Sequence, residues 1–186
     1  HGLRQKGNLV YDENFHVPLV IRHPDLGPAA GSTTEALASA VDLAPTLLAI
    51  AGADDEARAT AHPGLRGRSL LPALEGRAVR DGVLTAVESI TTLDAGFWRR
   101  FGEPDALEKM MSGELRPDWS HRGFLRGYTD ERYSFGRYFA PLEPNRPTTV
   151  EALYADHDVV LYDRVADPGE TVNLAADPTQ RDLVED

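Results

Sequence analysis

The chain contains no cysteine in its 186 residues. That excludes disulfides, thiolate metal sites and a cysteine nucleophile within this sequence. It also has no apolar run approaching the roughly 18 residues of a membrane span. Positive charge is scarce, with 19 Lys and Arg against 30 Asp and Glu and a net charge of −11. This disfavours nucleic acid or an anionic membrane as the main partner, because both need a broad cationic surface. A small anionic substrate needs only a few local cations and stays open. Lysine itself is nearly missing: Lys6 and Lys109 are the two, and arginine fills every other basic position. The G-x-S-x-G elbow, the Walker A loop, G-x-G-x-x-G and HExxH are all absent. The chain starts on His1 with neither Met nor a leader, so further residues are expected upstream. Compartment and oligomeric state are left open.

What is present reads as a globular α/β protein, with 41% hydrophobic and 26% charged residues. The opening residues, HGLRQKGNLVYDENFHVPLVIRHP, carry a glycine-flanked polar loop, an acidic turn at Asp12–Asn14 and a β-branched run. That run predicts a buried strand over 17–22. Residues 33–51 read as helical, capped at Ser39 or Asp42, with Leu43, Leu47, Leu48 and Ile50 as the apolar side and Gly52 as the stop. Pro45 fits the first turn. Ser69 predicts the cap of a short helix through Leu74. Strands are expected at 83–90, 124–128, 133–139 and 159–162, the middle two forming a hairpin around Asp130-Glu131. A helix is expected at 104–112, a turn at Asp167-Pro168-Gly169 and a helix start in 177–186. The expected organisation is the end of a large mixed-sheet α/β domain over 1–80, then a small antiparallel α+β subdomain over 81–186.

Lys6 is the leading chemical candidate. An ammonium on a glycine-flanked loop before a core strand can neutralise an oxyanion at the strand edge; the plainer reading is a solvated surface lysine. His1, five residues earlier, can share that anion or move a proton. Asp12 and Glu13 are adjacent and lack a third ligand at a familiar spacing, so they read as turn charge and not as a metal site. His16 and His23 read as structural. Arg66 and Arg68 sit in a glycine-rich turn and either hold an anion or cap a helix end. Tyr128, Tyr133, Tyr138 and Trp119 read first as packing. No catalytic set is complete on spacing alone.

Four segments, in order, resemble the C-terminal part of the sulfatase family within the alkaline phosphatase superfamily. They are HGLRQKGNLVYDENFHVPLVIRHP at 1–24, SAVDLAPTLLAIAG at 39–52, GLRGRSLLPALEG at 64–76 and VLYDRVADPGETVNLAADP at 160–178. The resemblance implies an alkaline-phosphatase-like α/β domain and a sulfuric ester hydrolase. Such enzymes use a formylglycine made in a C/S-x-P-x-R motif, and a calcium ion held by Asp and Asn or His. Lys6 falls on the family lysine that contacts the sulfate, and His1 on the histidine of the same segment. The chain contains neither Cys nor S-x-P-x-R, so formylglycine and calcium are expected upstream, and these 186 residues alone are expected to be inactive. The implied partner is a small sulfate ester. Two rivals stand beside this reading: a phosphodiesterase or phosphonate monoester hydrolase of the same superfamily, and a non-catalytic module retaining the family's tail.

Overall fold

The computed structural model describes residues 7–24, 31–88, 94–143 and 145–185. The chain divides into two compact units, residues 18–83 and residues up to 17 together with 84–186. No helix among the described residues is long and apolar enough to cross a membrane.

The 18–83 unit is built on turns and short helices. A 3-10 turn, Ala40–Asp42, runs into α2, Leu43–Ile50. The Ser39 N–H donates to Asp42 Oδ2 at 2.8 Å, fixing the helix entry as the capping pattern predicts. Gly52 ends the segment at φ 94°, a conformation that costs other residues dearly. Residues 32–39 are not helical, so the element is shorter than the expected 33–51. Its inward side also differs. Leu43 and Leu47 are exposed, whereas Pro45 and Thr46 are buried. The reason is polar: Thr46 Oγ1 donates to the Asp42 carbonyl at 2.6 Å and accepts from the Leu70 N–H at 2.9 Å. Those bonds turn the Thr46 face inward. Next come α3, Asp55–Ala61, capped by Asp54, and a 3-10 turn, Leu71–Glu75. Leu70, Ala73 and Val79 form the buried cluster, with Ile21 and Ala36 against it.

The expected strand over 17–22 is not formed. Those residues join no ladder, and Val20 is 88% exposed. β-branched composition favours a strand only where a neighbouring strand pairs with it, and none of the described residues does.

The second unit holds a four-stranded sheet in the order β1-β2-β3-β4. The strands are Gly82–Val87, Phe124–Asp130, Tyr133–Phe139 and Asp158–Asp163. The pairs β2–β3 and β3–β4 are antiparallel. The hairpin forms as its alternation predicts, and Asp130 Oδ1 accepts from the N–H groups of Arg132 and Tyr133 to close the turn. Helices α4, Ala95–Phe101, and α5, Ala106–Ser112, share a cluster of Phe97, Ala106 and Leu115. Helix α6, Val150–Asp156, precedes β4, and 3-10 turns with a four-residue helix, α7, Asp182–Glu185, end the chain.

The opening residues group with the sheet. One register pair explains how. Gly127 and Gly136 lie directly opposite each other on β2 and β3. With no side chains there, the sheet face carries a dimple, and Val10 fills it; a Cβ on Gly136 would meet Val10 Cβ at 3.1 Å.

Candidate functional site

The expected site residues, Lys6 and His1, lie outside the described residues. The segment that follows Lys6 is described from Gly7 onward, and its anchoring is extensive. Asn8 Nδ2 donates to the Gly123 carbonyl at 3.0 Å. The Val10 N–H donates to the Tyr138 hydroxyl at 3.2 Å. Burial holds that hydroxyl's pKa up at about 12, so it stays a neutral phenol.

Beyond Val10, a one-turn helix, α1, Asp12–Phe15, carries Asp12 and Glu13 in its first turn, the placement expected for acidic residues. The buried Asn14 donates through Nδ2 to the Leu9 carbonyl at 2.8 Å. The Tyr11 and Tyr162 rings lie 5.5 Å apart at a tilted angle.

Asp12 links the opening segment to the closing one. Its Oδ1 accepts from Arg164 Nη2 at 2.8 Å, and Oδ2 lies 3.1 Å from His16 Nδ1. Its N–H donates to Glu170 Oε2 at 2.7 Å. Glu170 is 2% exposed and sits at φ 48°, a left-handed conformation unfavourable for a residue with a Cβ. Desolvation raises its pKa, the charge of Asp12 adds to this, and the buried Ser134 hydroxyl beside it works the other way. A strained, buried carboxyl persists here because its acceptor oxygen is needed by the α1 entrance.

The other candidates have structural places. The Arg68 N–H donates to Asp42 Oδ1 and its Nη1 to the Val79 carbonyl, at 2.8 and 2.7 Å. The turn holding it admits only glycine at 67, because a Cβ would run into the Val41 carbonyl. Asp42 is wholly buried and also pairs with Arg80. The Arg132 guanidinium lies 4.9 Å over the Tyr133 ring, and Tyr128 is partly exposed. Among the described residues no group of three or more His, Asp or Glu could hold a metal ion.

Residues 1–83 match the family model described as N-sulphoglucosamine sulphohydrolase, C-terminal. The first 83 residues are therefore similar to the C-terminal region of a sulfatase. The matched stretch contains Lys6, the Asp12 turn and the Asp42 hub. The closing segment at 160–178 lies beyond the match, and its tie to the opening segment is the set of contacts from Tyr162, Arg164 and Glu170. No curated protein matches the chain. Sequence reasoning singled out neither Val10, Gly127 and Gly136 nor Glu170 as a group. The two glycines inside strand patterns were the available signal of a close backbone approach.

Proposed function

We propose that the protein acts as a sulfuric ester hydrolase in which Lys6, assisted by His1, neutralises the oxygens of a sulfate group. The observation that carries this is the sulfatase match over residues 1–83, which spans the Lys6 loop. An ammonium beside a sulfate ester stabilises the charge that grows on the leaving oxygen as the S–O bond breaks. His1 would share the oxyanion or transfer a proton. The anchored stretch from Asn8 to Asn14 supports this role by fixing the chain two residues after Lys6, which limits the ammonium's search for its substrate.

A formylglycine nucleophile and a calcium ion complete the proposal. When bound, calcium would polarise the sulfate. The sequence contains neither Cys nor S-x-P-x-R, so the formylglycine would come from other residues, as would the calcium ligands, and no step here runs through either group. The substrate proposed is a small sulfate ester: with a net charge of −11 the protein suits it better than a heavily sulfated polymer.

The test is a rate comparison in the intact protein. Turnover of 4-nitrocatechol sulfate should exceed that of a bis-aryl phosphate diester. In Lys6→Ala, kcat should fall by about 10²-fold or more, the usual effect of losing one oxyanion donor. A preference for the diester would shift the assignment to the phosphodiesterase rival. An unchanged kcat would remove Lys6 from the site.

A further inference from the structure

The sheet face opposite the Gly127–Gly136 dimple carries an unusual pair. Arg126 on β2 and Arg137 on β3 are direct cross-strand partners. Like charges in this position repel, and a sheet ordinarily avoids them. Both guanidiniums gather over one ring, each 5.3 Å from the centroid of Phe139, which is 1% exposed. The ring's π face offsets part of the repulsion. It does not supply a counter-charge.

The two arginines are not equivalent. Arg126 pairs with Glu88. Arg137 forms no ion pair among the described residues; its Nη2 donates to the Asn145 carbonyl at 2.9 Å, and its Nη1 lies 3.3 Å from His157 Nε2. Neither partner is a carboxylate, so neither supplies a counter-charge. Burial, then the Arg126 charge, lowers the Arg137 pKa, the direction expected for a cation lacking compensation. The remaining charges nearby are already committed, Arg122 being paired with both Glu143 and Asp158.

We propose that Arg126 and Arg137 form an oxyanion subsite on this face, taking a sulfate group either as the free ion or as an ester. The forked guanidinium of Arg137, held by Asn145 and His157 and backed by Phe139, is pre-set for bidentate contact with such a group. Arg126 supplies the second cation. The proposal does not depend on the activity proposed above.

Calorimetric titration of the intact protein at low ionic strength tests it, with sodium sulfate as probe and sodium chloride of equal ionic strength as control. Saturable sulfate binding is expected, weakened about tenfold or more in Arg137→Gln. Arg126→Gln should weaken it less, because Glu88 already shares that charge. Arg137→Lys keeps the charge and the stem over Phe139, so it should bind sulfate more tightly than Arg137→Gln; it also carries the test if the glutamine variant fails to fold. Glucose 6-sulfate, run against glucose, separates the sources: tighter binding than inorganic sulfate identifies an esterified group, and equal binding the free ion. No saturable heat with sulfate, or equal affinity in wild type and every Arg137 variant that folds, would overturn the proposal.

Discussion

The two units of the chain are held together by different physics. In residues 18–83 the buried apolar cluster is small, and a single wholly buried carboxylate organises the rest. Asp42 accepts from the Ser39 and Arg68 N–H groups and pairs with Arg80. In the sheet unit the decisive feature is shape: two facing glycines leave room for one valine, and the opening segment is seated by it. A fold organised by a buried charge is most sensitive to loss of that charge. A fold organised by a dimple is most sensitive to added volume.

The largest effect should come from the polar hub. Asp42→Ala leaves the Arg80 guanidinium, 14% exposed, without its carboxylate, and two N–H groups without their acceptor. Removing one partner of a buried pair typically costs about 3–5 kcal/mol, so the denaturant midpoint should drop sharply. A loss under about 1 kcal/mol would mean that the hub does not organise this unit.

Volume in the dimple comes next. Gly136→Val places branches where a bare Cβ already meets Val10 and Val160 at 3.1 Å. Overpacking of this kind costs about 1–3 kcal/mol. Adding Val10→Gly should recover part of that loss, because it removes the Val10 Cβ that the new side chain meets. Additive effects in the double mutant would show that the two positions do not compete, and the contrast between the units would lose its basis.

How much of this was legible in the sequence follows the same divide. The β2–β3 hairpin, the Ser39–Asp42 cap and the Gly52 stop were readable because each is a local pattern with a local cause. The strand expected over 17–22 does not form, because strand formation needs a partner that composition does not supply. Leu43 and Leu47 of α2, expected to point inward, are exposed, because Thr46, bonded to Leu70, sets the inward side. The seat of the opening segment was hidden for a different reason. Val10 and Tyr138 are 128 residues apart, and nothing in either neighbourhood points to the other. Of the candidate site, Lys6 and His1 rest on resemblance, while the anchors behind them emerged only from the fold.

The smallest effect concerns a charge in the sheet unit, and it tests whether charge there is secondary. Asp163, at the end of β4, accepts from Arg132 at 2.8 Å, and its Oδ1 accepts from the N–H groups of Val165 and Ala166. The Arg132 contact first, then these N–H groups, hold its pKa at about 2, below the ordinary 3.8. The folded state therefore binds this proton more weakly than the unfolded chain does. The resulting stability is present above the ordinary value and is lost as pH falls from 3.8 towards 2. Asp163→Asn can keep an acceptor for the two N–H groups and loses only the charge facing Arg132, whose side chain is 58% exposed. Water screens such a pair, so the neutral-pH melting temperature should fall slightly, with turnover of the intact protein unchanged. Below pH 4 the wild-type melting temperature should fall more steeply than the variant's, and the two profiles should converge. Parallel profiles would mean that Asp163 titrates normally. A fall at neutral pH as large as that of Asp42→Ala would mean that charge organises both units alike.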